Sequence, residues 1–137
     1  YAPVRVAAKT FGNHGSLMLS PQHRILVRDP LADLVFGTPE VLVAAKHLVN
    51  GRTVQIVEGG MVTYVHLLFD RHQIILAEGL AAESFHPVDQ SISALDHAAR
   101  EEVLRIFPEL RSATTAYGPL ARPAIGATEA RAFLPIP

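Results

Sequence analysis

A serine and a histidine three residues apart are the first groups in this chain whose types and spacing could do chemistry. They belong to the segment Ser20-Pro21-Gln22-His23, which leads into an apolar run that predicts a strand over 23–27. An imidazole at the mouth of a strand could protonate a leaving amide nitrogen, with the serine hydroxyl orienting the ring. A serine nucleophile with a histidine base is a weaker arrangement, because strand residues three apart point to opposite faces. The alternative interpretation is a turn serine beside a half-buried histidine.

A second group of polar side chains is concentrated between residues 64 and 84. The sequence predicts two strands here, 64–69 and 73–77, joined by a turn at Asp70-Arg71, and the second run ends at Glu78-Gly79. Two histidines and three carboxylates belong to this segment: His66, His72, Asp70, Glu78 and Glu83. The carboxylates could orient a histidine or serve as acid and base. Core or turn histidines and solvated carboxylates are the alternative.

A zinc site would require three imidazoles to converge, and His23, His66 and His72 are the candidates. The sequence has no HxH or HxxxH pair that would support such a site. We therefore expect no metal and no cofactor. A small metal-dependent hydrolase that uses these three histidines remains a rival hypothesis. The other histidines, among them His14, His86 and His97, are expected to be surface or capping residues.

The composition limits the class of protein. At 137 residues, 49% hydrophobic and 18% charged, the chain is typical of one globular domain with a buried core. A formal net charge of -1 gives no electrostatic reason to expect nucleic acid or an anionic membrane surface as a partner. No apolar run approaches the roughly 18 residues that span a bilayer. Because cysteine is absent, this sequence contains no disulfide, thiolate metal site or cysteine nucleophile.

The elements that must position these groups are mostly strands. Apolar runs predict strands over 4–8, 23–27 and 41–43, with a short apolar run at 17–19, while 28–40 is expected to be a surface excursion. A helical turn is expected over 44–48. Asn50-Gly51 then predicts a hairpin turn, after which residues 52–57 would pair backwards.

The character of the chain changes after Ser84. Apolar residues spaced by three and four predict a helix from Ser91 or Ser93 to Phe107, which Pro108 ends. A second, short helix is expected over 127–133. We therefore divide the chain into a β domain, residues 1–86, and a helical extension and tail, residues 87–137.

Taken together, four segments resemble the Hint (hedgehog/intein) superfamily, in particular the bacterial Hint-type domains of secreted and calcium-binding-repeat proteins. The segments are LSPQHRILV at 19–27, VLVAAKHLVNG at 41–51, VTYVHL at 62–67 and LAEGLAAESF at 76–85. Their succession covers about residues 1–86. The resemblance implies a mainly β, horseshoe-shaped Hint/intein-like fold, of which this chain holds the C-terminal part, followed by a C-terminal α-helix.

The resemblance also implies autocatalytic cleavage. In the family, the first residue of the domain, a Cys or Ser, attacks its own preceding carbonyl to form a thioester or ester, and a Thr-x-x-His motif assists. Ser20-Pro21-Gln22-His23 is similar to this motif, with Ser in place of Thr. The resemblance thus assigns His23 as proton donor to the scissile amide nitrogen and Ser20 as its orienter. It assigns His72, with Asp70 or His66, to the second step.

Two departures from the family pattern limit these expectations. The family nucleophile belongs upstream of the strand that begins near Tyr1, so we expect it outside this sequence. Glu83-Ser84 stands where inteins end in His-Asn, which argues against asparagine-driven release and full splicing. A Hint-like domain that has lost activity and serves as a structural or protein-interaction module is therefore the alternative function.

The expected partner is the upstream segment of the same polypeptide, or a complementing N-terminal fragment. An incomplete sheet leaves open edges that such a segment would cover, and self-association could cover them too. We expect no nucleic acid and no membrane. The resemblance implies secretion from a bacterial cell.

Overall fold

The computed structural model describes residues 2–60, 67–86, 97–111 and 117–133. In chain order its strands and α-helices are β1 (Val4–Val6), β2 (Leu17–Leu19), β3 (Arg24–Arg28), α1 (Pro30–Phe36), β4 (Glu40–Ala44), β5 (Val54–Ile56), β6 (Ile74–Ala77), β7 (Leu80–Glu83), α2 (His97–Ile106), β8 (Ala124–Ile125) and α3 (Ala127–Phe133). Short 3-10 turns cover Ala45–Leu48 and Pro108–Arg111. The predicted mainly β fold with a helix near the C-terminus is confirmed.

The chain forms two compact units. The sheet unit comprises Tyr1–Val65, Ile74–Glu83 and Arg122–Pro137, and the helical unit comprises His66–Gln73 and Ser84–Ala121. The predicted division at residue 86 remains a prediction. In the described residues, no helix is long and apolar enough to cross a membrane.

The sheet unit contains two β-sheets. One has the strand order β2-β1-β5, with Val4 opposite both Leu19 and Ile56 in antiparallel pairs. The other has the order β6-β7-β3-β4-β8, and β8 alone runs parallel to its described neighbour. β4 lies between β3 and β8, and Val41, Leu42 and Val43 are completely buried. Such a continuous apolar run is typical of a strand covered on both faces.

Residues 28–40, expected to be a surface excursion, are mostly exposed, but they contain helix α1, which was not predicted. Asp29 Oδ1 accepts a 2.8 Å hydrogen bond from the N–H of Leu31, and Pro30 occupies the first helical position. Gly37 ends the helix with a φ of 76°, and its N–H donates to Asp33 O. These start and stop signals are all present in the sequence.

The Asn50-Gly51 turn forms, but the strand pairing expected from it was wrong. Asn50 Oδ1 accepts hydrogen bonds from three successive main-chain N–H groups, those of residues 52–54. The strand that follows the turn, β5, does not pair with β4. It pairs with β1 in the other sheet, whereas β4 pairs with β3 and β8. The turn chemistry is local, whereas the partner strand is selected by which apolar faces the whole sheet buries.

The hairpin of the second polar segment lies later than expected. β6 and β7 pair from Ile74↔Glu83 to Ala77↔Leu80, and Glu78 and Gly79 form the turn with φ values of 52° and 85°. Two consecutive positive φ angles are the requirement of a type I′ hairpin turn. Residues 67–73 are not strand, and residues 61–66 lie outside the described residues. Glu78-Gly79 is therefore the turn, not the end of the pair.

The C-terminal part agrees with the sequence except for one strand. The short helix over 127–133 is confirmed, and the longer predicted helix is confirmed over 97–106, while residues 87–96 lie outside the described part. β8 was not predicted. It is held beside β4 by the bond from Leu42 N–H to Pro123 O, and Arg122 Nε donates to Glu40 Oε1 at 2.8 Å.

The helical unit has its own small core. Val103 and Leu104 of α2 pack with Leu110 and Tyr117, and Leu68 and Phe107 lie against this cluster. The Tyr117 hydroxyl donates a 2.5 Å hydrogen bond to the main-chain oxygen of Phe69. This bond joins a residue before the β6–β7 hairpin to a residue after it, both within the helical unit.

Candidate functional site

His23 lies at the end of a tight turn, directly before β3. The main-chain N–H of His23 donates to Ser20 O at 3.1 Å, and the Ser20 hydroxyl accepts from the main-chain N–H of Gln22 at 3.2 Å. Serine hydroxyls stabilise turns through such contacts with the main chain two residues on. The structure thus brings Ser20 and His23 together in one turn, where the serine shapes the main chain that carries the imidazole.

The half-buried imidazole of His23 has a defined tautomer. Its Nε2 lies 2.9 Å from the main-chain oxygen of Glu83, the last residue of β7. Because a carbonyl oxygen only accepts, Nε2 must carry the proton and donate it. In the neutral ring Nδ1 is then the nitrogen that remains for proton exchange.

Burial lowers the pKa of His23 below its ordinary value of 6.5. The hydrogen bond to Glu83 O and the negative charge of the Glu83 carboxylate act in the opposite direction, and the Arg24 guanidinium adds to the lowering. Since burial has the largest effect, the ring is mainly neutral at neutral pH. A neutral imidazole can accept a proton and pass it on.

A buried ion pair lies beside His23. The Glu83 side chain is 1% exposed, and its carboxylate accepts from both Arg24 Nε and the Arg24 main-chain N–H, at 2.9 and 2.8 Å. Hydrogen bonds between ionised groups are stronger than neutral ones, and burial requires them. The side chain of Glu83 therefore holds residue 24 while its main chain receives the ring of residue 23.

The sequence alone grouped Glu83 with Asp70 and Glu78 as carboxylates that could orient a histidine or act as acid and base, without indicating which histidine. A signal for its burial was present, because it is the charged end of the otherwise apolar strand Leu80-Ala81-Ala82-Glu83. A fully buried carboxylate needs a partner. The identity of that partner, Arg24, could not be found from spacing because the two residues are 59 positions apart.

Two other predicted site residues, His72 and Asp70, belong to the helical unit. His72 is buried, and its Nδ1 accepts a 2.8 Å hydrogen bond from the N–H of Ala121. Asp70 lies exposed in a bend. His66 lies outside the described residues. The proposed grouping of His72 with Asp70 or His66 therefore remains a prediction.

Two of the histidines expected to be surface or capping residues, His14 and His86, are buried, so a surface position was wrong for both. His86 Nε2 donates to Gly118 O at 2.9 Å, and its ring lies edge-on to those of His72 and Tyr117, with centroids 5.3 and 4.9 Å apart. His14 Nδ1 donates to Gly15 O, and its Nε2 accepts from Phe11 N–H. In both cases the ring satisfies main-chain groups. His97 is exposed, as expected.

Ser84 follows Glu83 but belongs to the helical unit. Its side chain is 1% exposed, and the hydroxyl accepts a 2.9 Å hydrogen bond from Gln73 N–H.

Across the residues that the structure describes, no group of three or more His, Cys, Asp or Glu side chains could hold a metal ion.

A family model described as Hint domain matches residues 1–89, well over half of the chain. The chain therefore belongs to the Hint domain family, whose members are in general autoprocessing-type domains. The mainly β architecture agrees with that membership. Comparisons with curated proteins and with solved structures gave no match.

Proposed function

We propose that this chain takes part in the autocatalytic cleavage of a peptide bond in the polypeptide that contains it, through an ester or thioester intermediate. The nucleophile, a Cys or Ser, comes from an upstream segment of the same polypeptide or from a complementing N-terminal fragment. His23 moves the proton. The observation that carries this proposal is the 2.9 Å hydrogen bond between Nε2 of the half-buried His23 and Glu83 O, which leaves Nδ1 to exchange the proton.

The first step needs one proton to be moved a short distance. As the nucleophile attacks its preceding carbonyl carbon, Nδ1 of His23 accepts the proton from the attacking oxygen or sulfur. The same proton passes to the amide nitrogen as the carbon–nitrogen bond breaks, so His23 ends neutral. Ser20 acts as a positioning residue, because its hydroxyl stabilises the turn that presents the imidazole.

For the second step we keep His72 with Asp70 or His66, an assignment that rests on the resemblance alone. His72 already accepts the N–H of Ala121, which favours a structural contribution. Bacterial origin and secretion rest on the same resemblance.

The test follows the intact mass of the parent polypeptide, expressed with its upstream segment, as wild type and as His23→Ala. We expect spontaneous conversion to two fragments that the substitution slows by about a hundredfold or more. Hydroxylamine should increase cleavage of the wild type by trapping the ester or thioester. His97→Ala removes an exposed histidine and should cleave at the wild-type rate. A wild type that stays whole with hydroxylamine contradicts the proposal.

A second candidate is a catalytically inactive Hint-like module for structure or protein interaction. Glu83 and Ser84 favour it, since both side chains are fully buried and already hold structural hydrogen bonds at the place where inteins carry His-Asn. A folded wild-type parent that remains intact under trapping conditions would support this candidate.

A further inference from the structure

We infer that the Glu83 side chain is a positioning residue for His23. By binding Arg24, the carboxylate holds the Glu83 carbonyl against the imidazole and so selects the ring's tautomer. The consequence for cleavage rests on the function proposed above, whereas the effect on the ring can be measured without it.

The regular strand pairing at this place is minimal. β7 and β3 share one pair of opposed residues, Ile25↔Ala82, one position before Glu83. Beyond that pair, Arg24 Nε and the Arg24 main-chain N–H donate to the Glu83 carboxylate, and the His23 ring donates to Glu83 O. The side chain and the main chain of Glu83 thus contact two consecutive residues, and the first contact restrains the second.

The burial of Glu83 makes this restraint strong. A carboxylate that is 1% exposed cannot exchange Arg24 for water, so the distance between residues 24 and 83 is held closely. The Glu83 carboxylate also accepts from the main-chain N–H of Arg24, so it restrains the main chain directly after His23. Turning the ring away would break the hydrogen bond from His23 Nε2 to Glu83 O.

Charge provides a second route for the same effect. Glu83 and Arg24 are the charged groups that act on His23, with opposite signs. Neutralising Glu83 removes an attraction for the imidazolium and leaves the repulsion by Arg24. The pKa of His23 should then fall further.

The first experiment records the ring nitrogen and carbon NMR signals of His23 against pH in the full chain. Glu83→Gln keeps the size and one acceptor atom but removes the charge, and Glu78→Gln is the matched control in the exposed turn of the same hairpin. We expect Glu83→Gln to lower the titration midpoint and to mix the tautomers, with no change in the control. Wild-type tautomer and midpoint in folded Glu83→Gln would overturn the inference.

A double variant covers the case in which Glu83→Gln does not fold. Arg24→Met with Glu83→Met leaves no buried charge unpaired, and such apolar replacements are often tolerated. We expect mixed tautomers for His23 in this variant as well. A single wild-type tautomer there would overturn the inference.

The second experiment measures cleavage of the parent polypeptide with its upstream segment. Glu83→Gln should slow it by about tenfold, as expected for a misplaced proton-transfer group, and shift the acid limb of the pH profile to lower pH. Rescue toward the wild-type rate at lower pH separates this effect from loss of fold. If the parent cleaves but Glu83→Gln matches it at every pH, positioning fails and the proposed function stands. If the parent does not cleave, the proposed function fails and the NMR result decides the positioning.

Discussion

The imidazole of His23 donates a hydrogen bond of 2.9 Å to the main-chain oxygen of Glu83, sixty residues further along the chain. The bond joins the turn before β3 to the end of β7. It places the half-buried ring of His23 beside Glu83, whose own side chain is buried.

The first prediction concerns acid stability. Because burial lowers the pKa of His23 in the folded state, the unfolded state binds more protons once the pH falls below about 6.5. The contribution of His23 to the free energy of unfolding is therefore constant at higher pH. It becomes destabilising as the pH falls from 6.5 through the lowered pKa of His23. His23→Gln, which can still donate to Glu83 O, should reduce this loss in urea unfolding at a series of pH values.

The pKa of His47 is also lowered, by burial first and then by Lys46, so His47→Gln should act in the same direction. His97→Gln removes an exposed histidine and serves as the control. If His23→Gln loses as much stability between pH 7 and pH 5 as the wild type, the conclusion that His23 is neutral and buried in the folded state is contradicted.

The second prediction concerns the buried pair. Arg24→Met leaves the Glu83 carboxylate without its counter-charge and should lower the free energy of unfolding by about 3–5 kcal/mol. Adding Glu83→Met should restore much of this loss, because no buried charge then remains. Arg28→Met is the control in the same strand, since the Arg28 side chain is 73% exposed and its pairing with Glu40 should contribute less than about 1 kcal/mol. Additive losses in the double variant would contradict the coupling.

The third prediction concerns the β6–β7 turn. Glu78 adopts a φ of 52°, which is unfavourable for glutamate but tolerated by asparagine. Glu78→Asn should therefore stabilise the chain by about 0.5–1 kcal/mol in thermal or urea unfolding. Glu78→Gln, without this backbone preference, should have little effect. Gly79→Ala should destabilise, because φ is 85° and the added Cβ would lie 3.4 Å from Asn13 O. If Gly79→Ala left the free energy of unfolding unchanged, this turn conformation would be contradicted.

The fourth prediction concerns the helical unit. Tyr117→Phe removes the hydroxyl that donates to Phe69 O and should cost about 1 kcal/mol. Tyr117→Ala should cost about 3–5 kcal/mol, because it also removes the ring contacts with His86 and Phe107. Hydrogen exchange of α2 amides measures both effects. Equal losses for the two substitutions would show that packing of the ring contributes nothing.

Local features of the fold were predictable because they depend on short-range sterics. The turn and strand after Ser20, the buried run at Val41–Val43 and the helix Ala127–Phe133 were all found from the spacing of apolar and turn residues. Helix α1 could have been found by the same means, since Asp29, Pro30 and Gly37 are its start and stop signals. It was missed because its apolar residues were assigned to a surface excursion.

What the sequence by itself determined is the class of fold, the family and the segment that carries His23, because composition, alternation and motif order are properties of the chain. The tertiary structure decided which strands pair and what each polar group contacts: β5 joins β1, Glu78-Gly79 becomes the hairpin turn, His72 and His86 are buried, and Glu83 meets His23 and Arg24. These outcomes depend on burying apolar faces and on satisfying buried charges between residues far apart in sequence. No local pattern contains that information.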